Sequence, residues 1–243
     1  MHPLGGTRVS AAVAVELKVF STHAALEILK QIAPQFERST GNRLSISYDP
    51  AKAVRRQIEN GASFDVAIVT RPVFDALAEQ GYLLPETRSE IGRCGLGVSV
   101  RKEAPQPDIG TVEAFKRALI AAGSVVRSTE GTSGIYFEKL LASLGIAEAM
   151  RGKIVLGPSG RVAELVARGD ADLAVQQIPE LMPVAGAQFV GPFPPELQLY
   201  TEFSAGVASA SRHQDAAKAF IAALTTPAAA ALFKAAGLEP ATQ

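Results

Sequence analysis

Tryptophan is absent from this 243-residue sequence, and Cys94 is its only cysteine. A single thiol excludes an internal disulfide and a metal site built from several cysteines. Cys94 has no His or Cys partner at a recognisable ligand spacing, so we expect it to be a core residue. Since His2, His23 and His213 are the only histidines, the sequence predicts no metal site and no cofactor.

An excess of charge is also lacking, because 24 Lys and Arg residues balance 24 Asp and Glu residues. Without a basic field we expect no nucleic-acid partner and no attraction to anionic lipid. The longest apolar runs have the length of a strand, well below the ~20 residues that a membrane-spanning helix needs. We therefore expect no membrane insertion.

Familiar catalytic signatures are missing as well. The sequence has no Gly-x-Ser-x-Gly elbow, no Walker loop and no His-Glu-x-x-His pattern. The function must therefore be inferred from the arrangement of polar residues around the predicted strands and helices.

What the sequence does contain is a regular alternation of strands and helices. Apolar runs predict strands at 17–20, 44–48 and 64–69, each followed by a helix. A second alternating set occupies residues 112–176. This order predicts an α/β fold with parallel sheets, and the length allows one large domain or two of about 100–120 residues.

Two segments of the chain resemble each other. Residues 58–67 and 166–174 both read as the end of a helix, a glycine, an acidic residue and a buried strand. The repeat suggests two lobes built alike. We expect the acidic residues, Asp65 and Asp172, to cap turns rather than to carry chemistry.

The stretch from Ser128 to Leu141 is the most informative. A short β-branched strand leads through small hydroxyl residues and two glycines into a helix. The start of a helix has unpaired N–H groups and partial positive charge, and glycine allows a ligand close to that backbone. The pattern indicates an anion site, or alternatively an ordinary helix with a serine N-cap.

Polar residues follow the other predicted strands too. Ligands of open α/β sheets bind at the carboxyl ends of the strands, and two lobes facing each other would enclose a cleft rich in donors. Arg71 and Arg161 could hold a carboxylate there, and His23 or Glu130 could act as a base if the protein is an enzyme. The candidate ligand contacts are Ser21, Thr22, Asp49, Lys52, Thr70, Arg71, Thr132, Ser133, Gly134, Arg161, Gln176 and Gln177.

The chain resembles a known class from about residue 16 to its end. Val19-Phe20-Ser21-Thr22, Phe36-Glu37-x-x-Thr40-Gly41 and the segment from Arg56 to Val66 are similar to the periplasmic molybdate-binding proteins of ABC importers. These are type II periplasmic solute-binding proteins. The resemblance implies two α/β lobes, residues 16–93 with 202–243 and residues 94–201, joined by two hinge strands. It also implies a ligand clamped between the lobes by hinge closure and a partner ABC permease, and we expect the protein to be a monomer.

The resemblance has one departure. Molybdate binders carry a serine- and glycine-rich turn after the second strand, whereas this chain has Tyr48-Asp49-Pro50-Ala51-Lys52. Losing hydroxyl donors and gaining a carboxylate disfavours a tetrahedral oxyanion. The segments 176–181 and 195–198 resemble a side branch of the class that includes an aconitate isomerase. Such an enzyme would need carboxylate clamps, for which Arg71 and Arg161 are candidates, and one base, His23 or Glu130.

Three functions follow as expectations. The first is a solute receptor for a small organic anion, with a di- or tricarboxylate favoured over a tetrahedral oxyanion. The others are a cofactor-independent isomerase of an unsaturated carboxylate and a molybdate or tungstate receptor. Residues 10–14 resemble the end of an export signal, although residues 1–9 are too short for its apolar core. We expect a periplasmic location if they are a signal remnant and a cytoplasmic one otherwise.

Overall fold

A computed structural model describes residues 14–240 as two β-sheets with helices packed on their faces. The α/β class expected from the sequence is confirmed. Apart from Ala14, the segment that resembles an export signal lies outside the described residues.

In chain order, the strands are β1 (Glu16–Ser21), β2 (Arg43–Tyr48), β3 (Val66–Thr70), β4 (Ser89–Cys94), β5 (Leu96–Arg101), β6 (Val125–Ser128), β7 (Ile154–Gly157), β8 (Leu173–Gln177), β9 (Ala187–Pro192), β10 (Thr201–Val207) and β11 (Glu239–Pro240). The helices are α1 (Leu26–Thr40), α2 (Ala51–Glu59), α3 (Arg71–Glu79), α4 (Val112–Ala121), α5 (Thr132–Ser143), α6 (Val162–Arg168), α7 (Ile178–Leu181), α8 (Gln214–Leu224) and α9 (Pro227–Ala235). A 3-10 turn, His23–Ala25, precedes α1.

The two sheets have the same plan. In the first, the order is β11-β4-β10-β3-β1-β2, with β1 parallel to β2 and β3. In the second, the order is β7-β6-β8-β5-β9, with β6 parallel to β7 and β8. In each sheet an antiparallel strand, β10 or β5, follows the parallel set. We call the α/β units built on these sheets lobe 1 and lobe 2.

The acidic residues of the two similar segments, Asp65 and Asp172, have the same structural role. Asp65 accepts a hydrogen bond from the backbone N–H of Lys18 at 2.8 Å, where β1 runs beside β3. Asp172 accepts from the N–H groups of Gly123 and Ser124 at 2.8 and 3.2 Å, just before β6. Both carboxylates therefore organise strand starts, in line with the structural role expected for them.

The chain passes between the lobes twice. It leaves lobe 1 at Cys94, which is fully buried, and enters lobe 2 at Leu96; it returns between β9 and β10. Gln198 links the two passages, because its side chain accepts from the Leu96 N–H at 2.6 Å and donates to the Leu96 carbonyl at 3.0 Å. The domain boundaries given above stay a prediction, and both lie close to these passages.

Each lobe has its own apolar core. In lobe 1, Phe36 and Phe220 pack edge to face with ring centroids 5.2 Å apart. In lobe 2, Phe115 and Phe193 lie 4.7 Å apart. Within residues 14–240 no single helix is long and apolar enough to cross a membrane; α8 and α9 meet that description only together, as a pair bent by 60°.

Candidate functional site

The carboxyl ends of the parallel strands of both lobes meet at one cleft. Because β1, β2 and β3 are parallel, the residues that follow them share one edge of their sheet, and the same holds for β6, β7 and β8. The cleft is narrow, with a cavity volume of about 40 Å³. It is lined by Thr22, His23, Pro50, Ala51, Lys52, Thr70, Glu130, Gly131, Thr132, Ser133, Ser159, Gln176, Gln177, Glu180 and Phe203.

Helix starts dominate this lining. The helices α2, α3 and α5 begin at Pro50, Thr70 and Gly131, and none of these N-cap positions forms a side-chain cap. Away from the cleft, Thr111 and Thr226 cap α4 and α9, whereas α1 and α8 also begin without a side-chain cap. The three uncapped starts at the cleft present N–H groups and partial positive charge to whatever occupies it.

Two buried side chains in the cleft also have oxygens without a partner. Thr22 is 5% exposed and Gln176 is 1% exposed, yet the Thr22 Oγ1 and Gln176 Oε1 atoms accept or donate no hydrogen bond. A buried polar atom without a partner costs roughly 1–3 kcal/mol. A ligand with its own hydrogen-bonding groups would relieve that cost.

The charges of the cleft are arranged so that its acids repel an anion only weakly. Lys52 is exposed at the start of α2. Glu130 lies 3.4 Å from Arg56, so its charge is partly balanced across the cleft. Burial raises the pKa of Glu180 to about 8, although a hydrogen bond with Gln176 opposes the shift. At neutral pH the Glu180 carboxyl is therefore mostly protonated and can donate a hydrogen bond.

His23 closes one side of the cleft. Burial lowers the pKa of its imidazole, and the negative charge of Asp49 opposes that shift. The ring packs directly against Gly160 of lobe 2, where a Cβ atom would collide with it. Gly160 has a φ of 78°, a left-handed conformation that favours glycine. His23 is thus a neutral side chain at the contact between the lobes.

The structure brings together most of the site residues expected from the sequence. Nine of them line the cleft: Thr22, His23, Lys52, Thr70, Glu130, Thr132, Ser133, Gln176 and Gln177. The candidates Ser21, Asp49 and Gly134 are close in sequence but do not line it. Ser21 is fully buried and its hydroxyl donates to the Thr22 carbonyl at 3.3 Å. Asp49 accepts from Gln57 at 2.9 Å, and Gly134 packs against the Ser128 carbonyl.

The two expected arginine clamps lie outside the cleft. Arg71 forms an ion pair with Glu202 at 3.0 Å, and Arg161 forms one with Glu164 at 2.9 Å. Each arginine forms its ion pair with a carboxylate of its own lobe, so its side chain does not point into the cleft. Lys52 is consequently the basic side chain among the residues that line the cleft.

Glu180 is the main residue that the sequence reasoning missed. It lies in the first turn of α7, which begins directly after Gln177. The proline at 179 marks a helix start, and that signal would have placed the following glutamate beside the end of β8. Phe203, from β10, was missed because it comes from the chain's return to lobe 1.

Comparisons with known proteins show the family to which the chain belongs. The family model described as bacterial extracellular solute-binding protein matches residues 17–239. An aconitate isomerase of Pseudomonas sp is 31% identical over 244 aligned residues, covering 98% of this chain and 93% of that one. The molybdate-binding protein ModA of Azotobacter vinelandii is 30% identical over 172 residues, covering 69% and 67%.

A solved structure supports the same assignment. The periplasmic molybdate-binding protein of Azotobacter vinelandii superimposes with a TM-score of 0.78 at 25% identity, covering 93% of this chain and 100% of that one. The resemblance inferred from the sequence is confirmed. The chain belongs to the family of bacterial extracellular solute-binding proteins.

Proposed function

We propose that this protein captures a small organic anion, a di- or tricarboxylate, in the cleft between its lobes. The observation that carries the proposal is the convergence of three uncapped helix starts, at Pro50, Thr70 and Gly131, on one cleft. Such starts hold anions through backbone N–H groups and the helix dipole. The unpartnered oxygens of Thr22 and Gln176 add polar groups that need a ligand.

Several features favour an organic anion over a tetrahedral oxyanion. Pro50 offers no N–H group at the turn after β2. Ala51 and Phe203 line the same cleft and give a carbon skeleton something apolar to contact. Asp49 binds Gln57 rather than facing the ligand, so its carboxylate does not discriminate between the two kinds of anion, and the preference depends on the other two features. A molybdate or tungstate ligand therefore stays a lesser alternative.

Isothermal titration calorimetry with a panel of anions tests the proposal. Citrate, trans-aconitate, tricarballylate, molybdate and sulfate would be titrated into the purified protein at pH 7. We expect at least one carboxylate to bind with a micromolar Kd and to exceed molybdate in affinity. Binding of molybdate alone, or of none of the panel at high micromolar concentration, would contradict it.

We further propose that the protein is exported to the periplasm and delivers its ligand to an ABC-type permease. Its family is extracellular, and one structural neighbour is described as the substrate-binding domain of a molybdenum ABC transporter, at 19% identity and a TM-score of 0.71. Fractionation of the native host would locate the protein, and pull-down with trans-aconitate present would show whether a permease accompanies it.

A second candidate function is isomerisation of an unsaturated carboxylate such as aconitate. Two observations favour it: the similarity to the Pseudomonas aconitate isomerase extends over 98% of this chain, and both His23 and Glu180 line the cleft. A base would remove a proton beside a carboxylate, and the same proton would return two carbons away. The neutral imidazole of His23 suits the role of base at neutral pH, whereas Glu180, which is mostly protonated there, suits the role of a hydrogen-bond donor to the substrate carboxylate.

Proton NMR of cis- and trans-aconitate in D₂O separates the two candidates. Isomerisation or solvent exchange with the wild type, reduced by more than tenfold in Glu180→Gln or His23→Ala, would establish the enzyme. Glu130→Gln tests the remaining acid of the cleft in the same assay. Tight binding without exchange would leave the receptor as the function.

A further inference from the structure

Glu180 lies between two spaces of the protein, the ligand cleft and an outer groove. On one side it lines the ligand cleft, and on the other it lines an outer groove formed with Glu27, Lys30, Tyr48, Arg161, Glu164 and Pro183. His23 lines both spaces as well. A carboxyl group in this position can contact a bound anion while the outer groove keeps a route to solvent for its proton.

Gln176 does not account for the neutral state of this carboxyl group, because its side chain favours the ionised form, whereas burial raises the pKa of Glu180. Gln176 is almost completely buried, and its Oε1 atom has no partner. No basic side chain forms an ion pair with Glu180 among the described residues, since the salt bridges of residues 14–240 involve other acids.

The surroundings of Glu180 are mostly neutral or of balanced charge. Cys94 of β4 is buried, and the charge of Glu180 helps to raise the pKa of its thiol. The neutral His23 packs from the 3-10 turn, and on α6 Glu164 is paired with Arg161 and Arg168. The other titratable or charged groups facing it across the cleft or the groove are Lys52, Glu130, Glu27, Lys30 and Tyr48.

We propose that anion binding in the cleft is coupled to uptake of one proton at Glu180, whose neutral carboxyl group donates a hydrogen bond to the bound anion. The inference rests on the proposed function and identifies the residue that makes binding depend on pH. The ionised form of the same group would repel the ligand, because no basic partner neutralises it. Protonation therefore converts a repulsive group into a donor.

The coupling has a defined pH profile. Because burial raises the pKa of Glu180 to about 8, the carboxyl is already neutral at pH 7, and binding takes up little proton there. At pH 9 most molecules carry the carboxylate, and binding takes up nearly one proton. Affinity should accordingly be almost flat from pH 6.5 to 7.5 and then fall about tenfold per pH unit above pH 8.

Calorimetry in pairs of buffers with different ionisation enthalpies measures this uptake directly. Trans-aconitate and, in parallel, molybdate would be titrated at pH 7 and pH 9 into the wild type, Glu180→Gln and Glu164→Gln. We expect close to one proton bound at pH 9 for the wild type and for Glu164→Gln, which removes a groove carboxylate outside the cleft. We expect none for Glu180→Gln, which keeps the size of the side chain.

The outcomes separate the two proposals. Binding at pH 9 without proton uptake would overturn the coupling and leave the anion-binding proposal intact. No binding of either anion would overturn both. Should Glu180→Gln fail to fold, carbon NMR of the wild-type glutamate carboxyls still decides: titration of Glu180 near pH 8 supports the coupling, and titration near 4.5 overturns it.

Discussion

At the scale of single residues, the ligand affinity should depend on the lysine of the cleft and not on the two arginines. Lys52 lines the cleft, whereas Arg71 and Arg161 pair with Glu202 and Glu164 outside it. We expect Lys52→Ala to weaken trans-aconitate binding about tenfold, as for the loss of one charge-assisted hydrogen bond. Arg71→Ala and Arg161→Ala should change the Kd by less than twofold. Calorimetry on the three variants checks this, and a large effect of either arginine would contradict the geometry.

The protonation of Glu180 should also control stability. Its pKa in the folded protein is raised to about 8 from 4.5, so between these values the folded state binds the proton more tightly than the unfolded state. The free energy of unfolding should therefore fall as pH rises from 6.5 to 8, by at most about 1.4 kcal/mol per pH unit.

Protonation of His23 changes the free energy of unfolding in the opposite direction and over a lower range of pH. Its pKa is lowered from 6.5, so its contribution to stability is lost as pH falls below 6.5. Urea unfolding of the unliganded wild type and of Glu180→Gln at pH 6.5 to 8 isolates Glu180, because His23 contributes equally to both proteins, and Glu180→Gln should remove the fall in stability. A wild-type stability that rises over this range would contradict the neutral state of the Glu180 carboxyl in the folded protein.

The arginines mark a limit of sequence reasoning at this scale. The partner of Arg161 is Glu164, one turn along the same helix, and the i,i+3 spacing could have revealed the pair. The partner of Arg71, Glu202, is 131 residues away and comes next to it only when β10 returns to lobe 1. Local pairing can be predicted from spacing, but long-range pairing depends on topology.

At the scale of elements, the parallel strands and the helices after them were predictable because their patterns are strong. Glycine and proline mark the helix boundaries, and the buried strands are continuous apolar runs. The strands β4, β9 and β11 were missed. The strand β9 contains both glycine and proline, and β11 has two residues, so neither carries a periodic signal. They lie at or near the antiparallel side of each sheet and do not form the cleft.

The contrast between capped and uncapped helix starts can be tested with a pair of threonines. Thr111 caps α4 by accepting a hydrogen bond from the Ala114 N–H at 3.1 Å, whereas Thr132 begins α5 exposed at the cleft. We expect Thr111→Ala to cost about 1 kcal/mol of unfolding free energy without changing the Kd for trans-aconitate. Thr132→Ala should weaken binding three- to tenfold with almost no loss of stability. Urea melts and calorimetry on both variants check the reciprocal pattern, and equal effects would contradict it.

At the scale of the whole molecule, the contacts between the lobes differ in strength. The ion pair of Arg56 and Glu130 is exposed on both sides, at 59% and 60%, so it contributes little. The packing of His23 on Gly160 is a close contact between the 3-10 turn of lobe 1 and the loop before α6. The side chain of Gln198 ties the two interlobe passages together. Opening the cleft therefore requires His23 and Gly160 to move apart while the two chain segments that join the lobes bend.

A pair of glycines tests whether that contact limits closure. Gly160 and Gly152 have nearly the same left-handed φ, 78° and 80°, so replacement by alanine imposes a similar strain of about 1–2 kcal/mol at each. Only at Gly160 does the new Cβ meet the His23 ring; at Gly152 nothing lies within 4 Å. We expect Gly160→Ala to weaken trans-aconitate binding more than tenfold and to enlarge the radius of gyration measured by X-ray scattering with the anion present. Gly152→Ala should lose comparable stability while closing and binding as the wild type does, because strain alone does not separate the lobes. If both variants lose affinity equally, the contact between His23 and Gly160 has no part in closure.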